Sequence, residues 1–133
     1  NYTLKNIQDD MISSYPMLAY FPMIFISVKN NLRVREVLKN ALQVYYERQK
    51  TIKTNELNIF LEKTVHNYPP PSIKGKFLKI KYITQLAQSP PLFALYCNHP
   101  HLFAVNYKRY FENQLRKTFD FKGSPIRISF RKK

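Results

Sequence analysis

The sequence predicts an α+β domain with the element order α-β-β-α-β, preceded by a helix-strand-helix segment of α/β type. Two features of one stretch lead to this prediction. Three consecutive prolines at 69–71 fix φ and lack backbone donors, so a helix arriving from the N-terminal side must end before them. Beyond Gly75, residues 78–82 alternate between large apolar side chains and lysines, which is the period of a half-buried strand with a cationic outer face.

The composition points to a polyanionic partner. The chain has 133 residues and 44% hydrophobic content, enough for one domain or for a small domain plus a piece of another. Its 22 basic and 8 acidic residues give a net charge of +14. Residues 1–50 carry +3 of this charge and residues 51–133 carry +11. The second part therefore produces most of the positive field that would attract a polyanion.

Cysteine usage and hydropathy predict a cytoplasmic location. A single cysteine, Cys97, cannot form an intramolecular disulfide. The most apolar run, residues 17–28, is broken by Pro22 and is shorter than the roughly 20 residues of a spanning helix, so no membrane span is expected. Residues 1–12 are polar and lack an initiating methionine, which indicates no signal peptide and a chain that is part of a longer protein.

Residues 1–50 are predicted to form the end of an α/β domain. A short helix ends at Pro16, a strand at Met23–Ile26 is apolar on both faces, and a turn at 27–31 leads into a second helix. The apolar stripe of that second helix comprises Val34, Val37, Leu38, Ala41, Leu42 and Tyr45. A buried parallel strand needs neighbouring strands, and nothing else in this segment supplies them. The segment must therefore either pack onto residues 51–133 or expose apolar surface, and we expect it to pack.

Residues 51–133 are predicted to fold as the α-β-β-α-β unit. Its first helix begins with Thr54 as N-cap, and the apolar stripe of that helix comprises Leu57, Phe60, Leu61, Thr64, Val65 and Tyr68. In the basic strand that follows, Leu78, Ile80 and Tyr82 are expected to face inward. The strand at 92–97 is apolar on both faces, which predicts that it is central in the sheet or covered from behind.

The last two elements complete this unit. A helix is expected from Val105 onward, with Lys108, Glu112 and Arg116 forming an i, i+4 ladder on its surface. Pro125 opens the final strand, whose inward side chains are Ile126, Ile128 and Phe130. Two helices over one face of a three-stranded sheet would bury all these stripes.

The sequence gives no support for catalysis or for a metal site. It has only two glycines and no GxxxxGK[ST] loop to hold phosphates. Ser27 lacks the paired base and acid that a nucleophile needs, and His66 shows no such signature. Cys97, His99 and His101 lie close together, but a zinc site would need a fourth ligand that is not nearby. We therefore predict no catalytic and no metal-binding residues.

Interleaved cations and rings favour nucleic-acid contact. The cations are Lys74, Lys76, Lys79, Lys81, Arg127 and Arg131, and the neighbouring rings are Tyr82, Tyr96, Tyr107 and Phe130. Lysines and arginines suit phosphates, and rings suit the stacking of bases. The alternative is a solvated charged face over an ordinary aromatic core. Because most of these rings lie on inward stripes, the pattern favours phosphate contact over stacking.

Four blocks of the sequence together suggest a known family: the proline triplet, Lys79-Ile80-Lys81-Tyr82 with Gln85, Tyr107-Lys108-Arg109-Tyr110-Phe111, and Gly123-Ser124-Pro125-Ile126-Arg127. These blocks resemble the C-terminal KH-like domain of the Der (EngA) family of bacterial double-Era-like GTPases. The resemblance implies a KH-like domain at 51–133 and makes residues 1–50 similar to the end of the second, Ras-like G domain. It thereby accounts for a strand without neighbours.

The resemblance also implies a nucleotide site that this chain contains only in part. Ser27, Val28 and Lys29 match the family's last guanine-recognition loop, although Val28 stands where the family usually has alanine. The phosphate loop, the switch regions and the Asn-Lys-x-Asp motif do not occur in this sequence. We therefore expect no enzymatic activity and no cofactor in this chain, and GTP with Mg²⁺ in the longer parent protein.

By the same resemblance, the expected role is large-subunit ribosome assembly, with ribosomal RNA as the polyanion. The RNA-binding candidates are Lys79, Lys81, Arg109, Arg116, Arg127 and Arg131. Ordinary KH domains hold single strands with a GXXG loop, but Asn98–Ala104 contains no glycine, so that grip is excluded. The alternative is a docking module that packs on the protein's own G domains and reports their nucleotide state.

Overall fold

The computed structural model describes residues 3–133, except for the side chain of Gln88. The chain divides into two compact units. The first comprises the described residues up to Glu47 together with Lys122–Ser124, and the second comprises Arg48–Phe121 with Pro125–Lys133. That the first unit is the end of a G domain remains a prediction.

The first unit contains two helices, α1 (Leu4–Ser14) and α2 (Val34–Arg48), with a 3₁₀ helix at Pro16–Tyr20. Both α-helices were predicted, and α1 ends before Pro16 as expected. The predicted strand at Met23–Ile26 is wrong, because these residues have no regular secondary structure. A strand exists only when a neighbouring backbone completes its hydrogen bonds, and no described residue of this unit pairs with them.

The apolar stripe of α2 is solvent-exposed within this chain. Leu38 is 70% exposed and Leu42 is 57% exposed, and the helix has no buried residue. Gly123 lies against this helix at Val44, and a Cβ atom on Gly123 would overlap the Val44 side chain. Its N–H donates to the Tyr20 carbonyl at 2.8 Å, and its φ of 78° favours glycine. The sequence pattern thus predicted the helix correctly, but the expectation that its apolar face is covered is wrong, because that face is exposed.

The second unit is a three-stranded sheet with two helices on one face. Its strands are β1 (Ile80–Gln88), β2 (Pro91–Cys97) and β3 (Arg127–Lys132), and its helices are α3 (Thr54–Asn67) and α4 (Val105–Phe119). The central β2 is antiparallel to β1 and parallel to β3. This confirms the α+β class, the element order and the central position of β2.

The core of the second unit lies between the helices and the inner face of the sheet. From the helices it receives Leu57, Phe60, Leu61, Tyr107, Phe111 and Leu115, and from the strands Ile83, Phe93, Leu95, Cys97 and Ile128. The α3 stripe was predicted, and the helix ends at Asn67 before the prolines. Its N-cap is Lys53 rather than Thr54, and Lys53 makes no side-chain capping hydrogen bond.

A β-bulge overturns one prediction about β1. The register shifts between Ile80 and Tyr82, so Lys81 has no partner in β2 and the alternation of faces restarts after it. Ile83 is therefore fully buried, whereas Tyr82 lies on the outer face, paired with Tyr96. Tyr82 does not face inward as the simple alternation predicted.

The side chain of Asn58 attaches α3 to the outer edge of β1. Its Oδ1 accepts from the N–H of Ile83 at 3.1 Å, and its Nδ2 donates to the carbonyl of Ile83 at 3.2 Å. The same Nδ2 donates to the Thr54 carbonyl at 2.7 Å. The amide thus takes the place of a neighbouring strand for one residue of β1.

Candidate nucleic-acid interface

Cations from two strands meet at one end of the sheet. Lys79 directly precedes Ile80, which pairs with Cys97, and on the other side of β2 Cys97 pairs with Lys132. Adjacent strands lie about 4.8 Å apart, so β1 and β3 are separated by about 10 Å there. We call the exposed cations of this region the basic end: Lys79, Lys81, Arg131, Lys132 and Lys133.

No carboxylate lies on this sheet. The acidic residues of the second unit are Glu56, Glu62, Glu112 and Asp120, all on α3, on α4 or just after α4. The helices of the second unit cover the inner face of the sheet, and no described helix of this unit lies over the outer face. The charge of the basic end is therefore not neutralised by local ion pairs, which is the arrangement that attracts phosphates.

A short hairpin before β1 adds two cations. Ile73 and Lys76 exchange both backbone hydrogen bonds, at 3.1 and 3.0 Å, around Lys74 and Gly75. Both central residues have positive φ, 51° and 71°, as a type I′ turn requires. Lys74 and Lys76 are exposed.

Asn98 attaches the segment after this hairpin to the end of β2. Its Nδ2 donates to the Phe77 carbonyl at 2.7 Å, and its Oδ1 accepts from the N–H of Lys79 at 3.0 Å. The N–H of Asn98 donates to the Lys79 carbonyl at 3.2 Å. The segment that carries Phe77 and Lys79 is thus fixed relative to the sheet.

The four aromatic residues predicted from the sequence to neighbour the cations lie on two different faces of the sheet. Tyr82 and Tyr96 stack on the outer face with centroids 4.6 Å apart, and Lys133 Nζ lies 5.1 Å from the Tyr82 centroid. Phe130 stacks instead on Phe103 at 4.4 Å, and Tyr107 is buried in the core. Of these four rings, only the tyrosine pair therefore lies on the outer face of the sheet.

Two candidate arginines are exposed but lie elsewhere. Arg127 pairs with Leu92 at the opposite end of β3, about 13 Å along the strand from Arg131, and donates to the Pro90 carbonyl at 3.5 Å. Arg109 is two residues from the buried Tyr107 on α4, which places it on the helix side that faces away from the sheet.

The assignment of Arg116 to RNA contact is corrected by the structure. Its side chain is only 7% exposed and pairs with Glu112 at 3.3 Å. The guanidinium also donates to the Phe121 carbonyl at 3.2 Å. The chain turns back after α4 through positive-φ residues at Asp120 and Phe121, which places that carbonyl beside the guanidinium. Arg116 therefore closes the end of α4 and is not available to phosphates.

Buried thiol and phenol groups lie in the core beneath this surface. Burial raises the pKa of the Cys97 thiol, and the nearby His99 N–H lowers it in part. Burial also raises the pKa of Tyr107, with a smaller contribution from Tyr110 and Tyr68. The ring centroids of His99 and His101 are 6.2 Å apart. In the part of the chain that the structure describes, no three His, Cys, Asp or Glu side chains are placed so that they could hold a metal ion.

In the first unit, Ser27, Val28 and Lys29 lie in a turn between the irregular segment and α2. Ser27 exchanges backbone hydrogen bonds with Leu32 at 3.2 and 2.8 Å, and Ser27 Oγ accepts from the Asn30 N–H at 3.4 Å. Val28 and Lys29 are exposed, and their N–H groups have no acceptor within the described part of the chain. Two adjacent unpaired amides can donate to a ligand carbonyl.

Comparison with known proteins shows the family. The family described as "KH-domain-like of EngA bacterial GTPase enzymes, C-terminal" matches residues 51–131, more than half of the chain. The chain belongs to this family. Proteins named GTPase Der from Fusobacterium nucleatum, Chlorobium phaeobacteroides and Caldicellulosiruptor saccharolyticus are 41%, 40% and 45% identical to it over 100%, 98% and 87% of its length. The matched regions are 30%, 30% and 26% of those proteins, so the chain spans less than a third of these curated relatives.

The resemblance to the Der (EngA) family and the KH-like class of the second unit are thus confirmed. Within this EngA-type KH-like domain, sequence reasoning missed Lys132, Lys133 and Phe77 as parts of the surface. One feature of the sequence could have identified them: residues 68–111 and 121–133 contain no acidic residue, which leaves every cation of the sheet without a local carboxylate. Among the described residues, no helix is long and apolar enough to cross a bilayer.

Proposed function

We propose that this chain is the C-terminal part of a GTPase that acts in assembly of the large ribosomal subunit, and that its KH-like domain contacts ribosomal RNA through the basic end. GTP and Mg²⁺ would be bound elsewhere in the longer cytoplasmic parent protein, because this chain has only two glycines and no phosphate loop. Ser27, Val28 and Lys29 would contribute only backbone contacts to the guanine.

The observation that carries this proposal is the carboxylate-free clustering of the basic end. Lys79 and Lys81 at the start of β1 and Arg131, Lys132 and Lys133 at the end of β3 are all exposed at the same end of the sheet. A structural role would pair these cations with carboxylates, as it does for Arg116. Each phosphate neutralised by such a cation releases counterions, so binding weakens steeply with salt.

The test is a salt titration of binding between this chain and ribosomal RNA. For the unsubstituted chain, log affinity should fall linearly with log salt concentration, by a slope of about 0.7 to 0.9 for each neutralised phosphate. Changing three cations of the basic end to glutamine should reduce the slope by roughly two to three: Lys79→Gln, Lys81→Gln and Arg131→Gln.

A matched control removes three exposed cations from the helices: Lys63→Gln, Lys108→Gln and Arg109→Gln. This control lowers the net charge equally but should change the slope by less than one. If both triple variants reduce the slope by the same amount, the contact depends on overall charge and not on the basic end. If the unsubstituted chain shows a flat salt response, the proposal as a whole fails.

A second candidate function is docking of the outer sheet face on the parent's own G domains. The outer side of β2 carries the half-buried Leu92 and Tyr96, and Leu86 of β1 is 44% exposed. Such an apolar face suits a protein surface better than a phosphate backbone. Under this alternative, Arg127→Glu or Lys79→Glu in the full-length protein should change its GTP hydrolysis in the absence of ribosomes, whereas an RNA-only role predicts no change.

A further inference from the structure

Phe77 presents an aromatic ring to solvent beside the basic end. It is 83% exposed, the most exposed of the large apolar side chains among the described residues. Its ring makes no ring or cation contact with any residue that the structure describes. The next residue, Leu78, is buried, so the backbone is held against the domain while the preceding side chain projects outward.

The backbone on both sides of Phe77 is fixed. The type I′ hairpin around Lys74 and Gly75 ends at Lys76, and Asn98 holds the Phe77 carbonyl at 2.7 Å. A residue other than glycine, asparagine or aspartate rarely takes the left-handed conformation that Lys74 has, with φ of 51°. Hydrogen bonds therefore hold the backbone on both sides of Phe77, so a ligand does not have to order the loop when it binds.

The charges around Phe77 indicate the chemistry of its partner. Lys74, Lys76 and Lys79 are exposed on either side of it, and no acidic residue occurs between 68 and 111. An apolar protein partner gains nothing from three uncompensated lysines, whereas a nucleotide offers both a flat π face and flanking phosphates. The other rings of this region, Tyr82 and Tyr96, already stack on each other.

We propose that Phe77 stacks on an unpaired base of a single-stranded RNA segment, whose adjacent phosphates are contacted by Lys74 and Lys76. This inference rests on the proposed RNA-binding function and deepens it. In an A-form duplex the bases are stacked on one another and their faces are inaccessible to a side chain, so the site selects single strands. The hairpin would thus perform the single-strand recognition that ordinary KH domains assign to a GXXG loop, by stacking instead of a backbone clamp.

The chain offers a direct optical test because it contains no tryptophan. Phe77→Trp places one indole at the proposed site. Adding single-stranded oligouridylate or oligoadenylate of about twelve nucleotides should quench its emission. A duplex RNA of equal phosphate concentration should leave the emission unchanged. The matched control is Ile59→Trp on α3, where the natural side chain is 66% exposed and is distant in sequence from the basic end.

Affinity measurements complete the test. Stacking of one base contributes about 1–3 kcal/mol, so Phe77→Ala should weaken single-strand binding roughly 5- to 150-fold, whereas Ile59→Ala should change it less than twofold. Phe77→Tyr should restore most of the affinity, and the salt slope should be the same in all three variants because no charge changes.

The outcomes separate this inference from the proposed function. Quenching by single strands only, with the affinity loss in Phe77→Ala, supports stacking. Unchanged emission and affinity together with a steep salt slope overturn the stacking inference but leave phosphate contact by the basic end standing. Equal affinity for single strands and duplex also overturns it. Absence of RNA binding by the unsubstituted chain overturns both.

Discussion

Removing the Asn58 amide should destabilise the second unit by a measurable amount. The side chain of Asn58 donates to the Thr54 and Ile83 carbonyls and accepts from the Ile83 N–H. In Asn58→Ala, the N–H and the carbonyl of the buried Ile83 lose the hydrogen bonds that they make to the half-buried Asn58 amide. An unsatisfied buried donor or acceptor costs about 1–3 kcal/mol. Alanine returns about 0.5 kcal/mol through its higher helix propensity.

The expected net loss is about 2 kcal/mol in the free energy of unfolding, which corresponds to roughly 10 °C in Tm for a unit of this size. Urea denaturation followed by near-UV circular dichroism of the aromatic core measures the loss. Hydrogen exchange adds a local measurement, because the Ile83 N–H should exchange faster in Asn58→Ala than in the unsubstituted chain. The control is Asn67→Ala at the exposed end of α3, which should change stability by less than about 0.5 kcal/mol.

Two results would refute this reasoning. One is an Asn58→Ala variant as stable as Asn67→Ala, which would mean that water replaces the amide at no cost. The other is a loss of stability without faster exchange at Ile83, which would place the effect elsewhere in α3. A further variant, Asn58→Asp, keeps the acceptor for the Ile83 N–H but loses both donors, so its stability should also fall below that of the unsubstituted chain.

Two further predictions concern the core. Arg116→Met keeps the aliphatic stem but removes the donor to the Phe121 carbonyl and the partner of Glu112. The free energy of unfolding measured in urea should therefore fall by about 1–3 kcal/mol, and the RNA affinity of the folded chain should be unchanged. An affinity loss with unchanged stability would contradict the structural role. Tyr107→Phe loses the 2.9 Å donation to the Tyr68 carbonyl, about 1 kcal/mol at pH 7. The folded state raises the pKa of Tyr107, so the stabilisation by the Tyr107 hydroxyl is complete below about pH 10 and is lost as the pH rises further. In urea titrations between about pH 8 and pH 11, Tyr107→Phe should therefore lose less stability than the unsubstituted chain.

Local patterns in the sequence predicted the elements that local forces determine. The helix α3 ends before the proline triplet, and Tyr107, Phe111 and Leu115 of α4 lie in the core. The strand β2, whose two faces are both apolar, is central in the sheet. Met23–Ile26 failed as a strand because strand formation depends on a neighbour, and an apolar run alone does not supply one. Tyr82 was placed on the wrong face because one extra residue, Lys81, reverses the alternation, and no two-residue period reveals a bulge.

The candidate site was predictable in its chemistry but not in its membership. Lys79 and Lys81 followed from alternation within one strand, whereas Lys132 joins them only because β3 runs parallel to β2 in a particular register. That pairing connects residues more than thirty positions apart, and composition carries no trace of it. Arg116 was misassigned for a similar reason, since helical spacing places it on the surface and the chain reversal after α4 then covers it.

The amide of Asn58 has a consequence for how this sheet meets other polypeptides. With α3 bonded to Ile83, an incoming strand cannot hydrogen-bond along β1 without first displacing the helix. The side of β3 that faces away from β2 pairs with no strand among the described residues, and Arg131, Lys132 and Lys133 lie at the end of β3. A polypeptide that added a strand there would thus lie beside the same cations that contact phosphates in the proposed function. The two ligands would compete for this edge of the domain.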